Sequence, residues 1–279
     1  MIEGSTITVL DKPEQPGSNN LCAAEIISFE LDIAGKMVPF HINVAAEKAT
    51  LADIVPLARK LSAKLAIAFL AGLRGNGQSV PCCKGCCACC SYLIPLSVPE
   101  VFRLREELLA MPAENSSRIL QSCLDTAKRI LDKKFRTSYL KSFSKSGQSR
   151  INQVSKWYGG LKLACPFLSD GLCMLYEQRP FACREHIVTG SSVSCQTGHR
   201  GEPNVAPMPV SILEVLGQLT AELEQSDIEA VMLPLAFAWA QDNLQRAERS
   251  WPAVTMVKRF VEILKLTASK NSAAPALST

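Results

Sequence analysis

The 279-residue chain has no apolar run near the ~20 residues that a membrane-spanning helix requires. Its longest candidate, "VMLPLAFAWA" at 231–240, spans ten residues and contains Pro234. The opening segment, "MIEGSTITVLDKPEQPGSNN", lacks the basic stretch and following apolar stretch of a secretory signal. The expectation is therefore no membrane and a cytoplasmic, reducing location. No glycine-rich phosphate loop follows a predicted strand, and "RGNGQ" at 74–78 reads as the end of a helix. No Ser/His/Asp set and no paired carboxylates stand out, and no repeat of solenoid period is present. Acid is missing from Lys133 to Ser169, where Lys133, Lys134, Arg136, Lys141, Lys145, Arg150, Lys156 and Lys162 are all basic. The net charge of the whole chain is only +4.

Cysteine, by contrast, is abundant. Six of the ten residues in "PCCKGCCACC" (81–90) are cysteine, out of twelve in the chain. Small secreted proteins use disulfides to replace a core they cannot build. This chain is long and 47% hydrophobic, so it can bury a core without such staples. In a reducing compartment, cysteines at this density point to metal binding or redox chemistry.

The hydrophobic pattern predicts a mainly α fold with a minor β component. Residues 1–20 read as a flexible lead. Residues 21–78 carry a β-hairpin around Ala34-Gly35-Lys36 and then a helix. That helix takes Leu51, Ile54, Val55, Ala58, Leu61, Leu65, Phe69 and Leu73 as one buried face, with Pro56 in or near its first turn. Residues 79–200 form the cysteine-rich region. Within it Ser97-Val98-Pro99-Glu100 is a capping box that opens a helix over 98–110. A second helical stripe runs over 115–143, with Cys123 as a small core residue. Residues 159–208 are irregular, and so long a loop needs something to organise it. Residues 201–269 predict helices over 210–224, 226–248 (interrupted at Pro234) and 251–268 (Ser250 as cap), and 270–279 read as a disordered tail.

Thiolates are soft ligands suited to zinc, iron–sulfur clusters or Cu(I). Cys83, Cys86 and Cys89 form C-x2-C-x2-C, and Lys84-Gly85 suits the tight turn between two ligands. The same spacing opens the bacterial ferredoxin run, whose fourth cysteine would fall at position 93, which is Leu. A fourth ligand must come from elsewhere. Neighbouring cysteines on a strand would point to opposite faces, so Cys89 and Cys90 are expected to serve different centres, or one of them the core. Downstream, "CPFLSDGLCMLYEQRPFACREH" supplies Cys165, Cys173 and Cys183, and Cys195 follows. Lys84, Arg179 and Arg184 are placed to offset thiolate charge.

These residues resemble the YkgJ-type CxxCxxCC cysteine-cluster family. The resemblance is carried by Cys83-x2-Cys86-x2-Cys89-Cys90, Cys165-Pro166-Phe167-Leu168, Cys173 with Tyr176, and Arg179-Pro180-x-x-Cys183-Arg184. It spans about two-fifths of the chain, roughly 83–195. It implies a zinc- or iron-chelating site made by Cys83, Cys86, Cys89, Cys90, Cys165, Cys173, Cys183 and Cys195. Cys82 and Cys87 are extra to the motif, and "EHIVTG" after Arg184 departs from an expected aromatic–Pro pair.

The expected function is metal chelation by thiolates from two distant segments, as an iron–sulfur cluster (4Fe–4S) or zinc. The all-sulfur donor set, and the lack of a second C-x2-C for a zinc ribbon, favour iron–sulfur. C-x3-C-x2-C also occurs at Cys82/Cys86/Cys89 and Cys83/Cys87/Cys90, but crowding alone produces such matches and the strand–helix alternation of a barrel is absent. His186 and His199 are polar loop histidines before they are ligands. The basic, aromatic stretch 133–162 reads as a solvated helix face, so nucleic acid is not an expected partner, while a protein partner is left open. Two alternatives remain: a cluster-bearing enzyme similar to protein lysine methylases, and a zinc-stabilised module for an acidic partner or RNA.

Overall fold

A computed structural model describes residues 7–10, 24–33, 35–132, 148–196 and 203–272. Strands β1 (Ile7–Leu10), β2 (Glu25–Ile33) and β3 (Lys36–Val44) form an antiparallel sheet in the order β1-β3-β2. The expected hairpin is β2–β3, turning at Gly35, whose φ of 81° is easy only for glycine. Strand β1 is an addition that four residues of sequence did not announce. Alternation along the strands buries Phe29, Leu31 and Ile33 beside Phe40, Ile42 and Val44, with Phe29 stacked on its cross-strand partner Phe40 at 5.1 Å.

That apolar face packs on helix α1 (Ile54–Gly75) and on the long final helix α9 (Ala253–Ser272). Pro56 is accommodated in the first turn of α1, where its missing N–H has no partner to lose. Helix α6 (Ile212–Glu224) completes this core through Ile212, Val215, Leu216 and Leu219. A second core surrounds α2 (Val98–Leu109) and α3 (Ala113–Asp132), with Cys123 buried at its centre. Helix α4 (Gln148–Gly160) places buried Tyr158 against Ile130 and Leu163, so this aromatic of the basic stretch is a core residue. The residues 133–147 of that stretch, together with Cys22, His199, the lead 11–20 and the tail 273–279, lie outside the described residues.

Two boundaries differ from expectation. Residues 226–248 do not begin as helix. Strand β5 (Pro95–Ser97) pairs with β8 (Ala230–Met232), and a 3-10 turn at Leu233–Leu235 absorbs Pro234 before α7 (Ala236–Asp242) and α8 (Leu244–Ala247). Ser250 is not a cap: Ser250–Pro252 forms β9, paired with β4 (Lys48–Thr50), and α9 starts after Pro252. In both cases a short backbone pairing competes successfully with local helix propensity. Among the described residues, no helix is long and apolar enough to cross a membrane.

Candidate metal centre

The first cysteine segment leaves the end of α1 and runs as consecutive turns to β5. Cys86 N–H donates to the Cys83 carbonyl (3.2 Å), Cys90 to Cys87 (3.0 Å) and Tyr92 to Cys89 (3.1 Å). Gly85, at φ 90°, makes the first of these turns, as the Lys84-Gly85 pair predicted. Because the segment turns rather than extends, the rule that neighbours face apart does not hold here. The Cys89 and Cys90 thiols are hydrogen-bonded to each other.

The second segment is brought alongside by main-chain contacts. Cys165 N–H donates to the Cys90 carbonyl at 2.6 Å. A two-residue hairpin follows, β6 (Leu168–Ser169) with β7 (Leu172–Cys173), turned by Asp170 and Gly171 at positive φ. Phe167 and Leu175 anchor it in the second core, with Cys165, Cys173 and Cys183 packed at the edge of that core.

Cys183 rides on the five-residue helix α5 (Phe181–Glu185), which two carboxylates hold, Glu100 buried and Glu185 half-buried. Glu100 accepts from Ser97 N–H (2.9 Å) and Ser97 hydroxyl (2.8 Å) as the capping box requires, and its other oxygen accepts from Phe181 N–H at 2.7 Å. Glu185 accepts from Ile212 and Leu213 N–H (2.7 and 3.1 Å) and from Ser211 hydroxyl (2.7 Å) at the start of α6. Burial raises the Glu185 carboxyl to about 7 and raises Glu100 as well. Cys195, buried on a 3-10 turn at Ser192–Cys195, is tied to the first segment by Tyr92, whose hydroxyl donates to the Cys195 carbonyl at 3.0 Å.

The fold thus brings the sulfurs of both segments within electrostatic reach of one another, and Cys89 acts on thiols of both. Its thiol is raised first by the bond to Cys90 and then by burial. In turn it raises Cys82, Cys165, Cys183 and Cys195, in each case after burial. Cys165 is pushed up to about 12, chiefly by burial. Thiols so placed are neutral on their own, and a cation that binds them must displace protons. Backbone N–H groups already point at several of the sulfurs: Val188 at Cys82, Phe167 at Cys165 and Leu175 at Cys173. Such donors favour thiolate. Arg179, stacked 3.7 Å from the Tyr176 ring centroid, lowers Cys89, Cys173 and Cys183. Lys84 and Arg184 were expected to share that role. Lys84 instead pairs with Glu177 (3.6 Å), and Arg184 turns to the Glu177 and Arg179 carbonyls.

The donor chemistry fits a thiophilic metal. Among the described residues, however, no three Cys, His, Asp or Glu side chains stand in an arrangement that could hold an ion as placed. What is assembled is the set of backbone segments and their neighbouring thiols. Sequence reading missed Tyr92 and the second hydrogen bond of Glu100. The capping box announced Glu100 as a helix cap but carried no sign of a partner 81 residues away.

Comparison with the curated proteins and with the solved structures finds no match. Residues 82–199 match the family described as "CxxCxxCC: Putative zinc- or iron-chelating domain". The match takes in both cysteine segments and the elements that join them, and over that span the chain is similar to the CxxCxxCC family.

Proposed function

We propose that the chain binds a metal centre through thiolates drawn from Cys83, Cys86, Cys89, Cys90, Cys165, Cys173, Cys183 and Cys195, with an iron–sulfur cluster favoured over zinc. The observation that carries this reading is the hydrogen bond from Cys165 N–H to the Cys90 carbonyl, which joins two thiol-rich segments 75 residues apart. Around it, sulfurs from both segments act on Cys89 or are acted on by it.

Closing on an ion takes rotation about Cα–Cβ bonds within segments that already lie together. Four thiolates on one centre leave net negative charge, and the Arg179 guanidinium beside Cys89, Cys173 and Cys183 is the offset. A bound iron–sulfur cluster would supply one-electron chemistry. The protein's part is to hold the sulfurs, orient them through backbone N–H groups and keep them at the edge of an apolar core. The described cysteines are all free thiols, as ligands must be, and the reading places the protein in a reducing compartment such as the cytoplasm.

The test is anaerobic purification with counts of iron, sulfide and zinc per chain. Iron and sulfide in equal amounts, with brown colour, are expected. A colourless protein with stoichiometric zinc replaces the iron–sulfur preference with zinc. Cys183→Ser should lose the metal, and a Cys183→Ser protein with full metal content overturns the shared centre.

A further inference from the structure

We propose that Arg179 and Arg184 form a binding site for a phosphate group on the turn that leads into α5. The site goes beyond the thiolate reading and does not depend on it. It gives a role to Arg184, a cation of the sequence motif that the thiolate centre does not use.

Every carbonyl of the turn 176–179 accepts an N–H from an arginine. Arg179 Nε donates to the Tyr176 carbonyl at 3.0 Å. Arg184 donates to the Glu177 carbonyl and, through Nε, to the Arg179 carbonyl at 2.9 Å. Arg59 reaches over from α1 and donates to the Gln178 carbonyl at 3.2 Å. Guanidiniums from two distant elements thus converge on one short piece of main chain. Arg59 is neutralised where it stands, by a two-point ion pair with Glu107 at 2.5 and 3.1 Å. Arg179 and Arg184 are not: among the described residues neither is paired with a carboxylate. The acid of the turn itself, Glu177, pairs with Lys84 at 3.6 Å.

Holding the turn accounts for where these side chains lie but not for the missing counter-charge. Both arginines are half-buried, and neighbouring cations taken partly out of water are costly unless an anion joins them. Burial, and then the charges of Arg179 and Arg59, push the Arg184 guanidinium below its ordinary value, and Glu177 and Glu100 make up only part of that. The two forks are also fixed before any ligand arrives. Arg179 is pinned by its carbonyl bond and by its stacking on Tyr176, and Arg184 by two carbonyl bonds. These bonds take few of the N–H groups that a guanidinium carries, so donors remain on both. Donors held in advance lose little freedom on binding. The shape of the anion follows. One guanidinium is enough to match a planar carboxylate with two parallel bonds. Two guanidiniums anchored to different carbonyls of one turn suit a tetrahedral group, which offers oxygens in several directions, and their paired charges suit a dianion. Phosphate, as the free ion or a monoester, has both properties.

The experiment is calorimetric titration of the full chain, purified anaerobically without phosphate or sulfate, with inorganic phosphate, methyl phosphate and acetate at constant ionic strength. Saturable, equimolar binding of phosphate is expected, with acetate at least about tenfold weaker. Arg179→Gln and Arg184→Gln should each weaken phosphate binding by about 10–100-fold, as loss of a charge-assisted hydrogen bond does. Arg184→Lys, which keeps the charge without the fork, should recover only part of the loss. Arg74→Gln, at an exposed arginine near the end of α1, should bind as the native protein does. Phosphate should also protect Arg179 and Arg184 of the native chain from phenylglyoxal, read by peptide mass spectrometry, a readout that needs no variant to fold. Methyl phosphate binding as tightly as phosphate supports the site and assigns it to an esterified ligand; its rejection supports the site for the free ion. No saturable binding, acetate binding as well as phosphate, equal affinity in the native chain and both glutamine variants, or modification of both arginines unchanged by phosphate overturns the site. The thiolate centre, read by metal content, stands or falls separately.

Discussion

At the residue scale the cysteines are not equivalent, and the differences are physical. Cys89 is hydrogen-bonded to Cys90 and acts on thiols from both segments, while Cys87 is exposed. Cys89→Ser should therefore strip the metal, and Cys87→Ser should leave metal per chain unchanged, as read by elemental analysis. Equal losses from the two would mean that the turns at 83–92 do not sort the sulfurs. Arg179 allows a signed prediction. Its charge lowers Cys89, Cys173 and Cys183, thiols that burial otherwise raises. Replacing it with Gln removes the opposing effect, so those thiols hold their protons to higher pH. Metal binding releases those protons, so the pH of half-saturation in a metal titration should move upward for Arg179→Gln. Affinity at neutral pH should fall by about 10–100-fold, the usual effect of losing an outer partner. An unmoved midpoint would show that the guanidinium serves only its stacking on Tyr176.

At the element scale, helix α5 carries Cys183 but is too short to hold itself, since five residues give barely one turn of hydrogen bonds. Glu100 and Glu185 fix its two ends to α2 and α6. Glu100→Gln puts an amide N–H₂ where one of three donors needs an acceptor. Thermal or denaturant unfolding should show a loss of about 2 kcal/mol, the cost of one buried donor left unpaired. A smaller effect comes from the α6–α9 contact, where Arg259 makes a two-point ion pair with Glu222 at 2.6 and 2.9 Å. The bond to Arg259 depresses the Glu222 carboxyl below its ordinary 4.5. Its stabilisation is therefore present above pH 4.5 and disappears as pH falls through the depressed value. Because the pair is about a third exposed, Arg259→Gln should cost under about 1 kcal/mol at neutral pH and less in high salt. The difference from the native protein should vanish in acid.

How far sequence alone reached follows the range of the forces involved. Periodicity and capping residues act within one or two turns, so α1, α2, α6 and the β2–β3 hairpin were legible from Leu61, Glu100 and Gly35 and their neighbours. Strands β8 and β9 were not. Each spans three residues, and each exists because a distant partner, β5 or β4, offers hydrogen bonds that outweigh helical preference at Ala230 and Ser250. The motif spacing named the sulfurs proposed for the site. It could not show that Lys84 is diverted to Glu177 while Arg179 is not, because side-chain direction depends on the fold around it.

At the scale of the whole molecule, the metal-binding region and the main core are distinguishable. The sheet, α1, α6 and α9 bury Phe40, Ile42, Leu61, Val215, Phe260 and Leu264 without using a thiol. The segments 82–92 and 161–196 have little regular structure of their own and depend on turns, the Glu100 and Glu185 carboxylates and the sulfurs. Removing the metal should therefore loosen one part and spare the other. After chelation, the far-UV circular dichroism should keep most of its helical signal, while limited proteolysis should cut within 165–195 and near 82–92. Hydrogen exchange should rise there and stay slow in α1, α9 and strands β2–β3. A single transition in which the helical signal collapses together with metal loss would mean that the thiolate centre is part of the one cooperative core, as in domains that fold only with their metal. The core of the sheet and its helices argues for the first outcome, because its apolar side chains are buried against one another without a thiol among them.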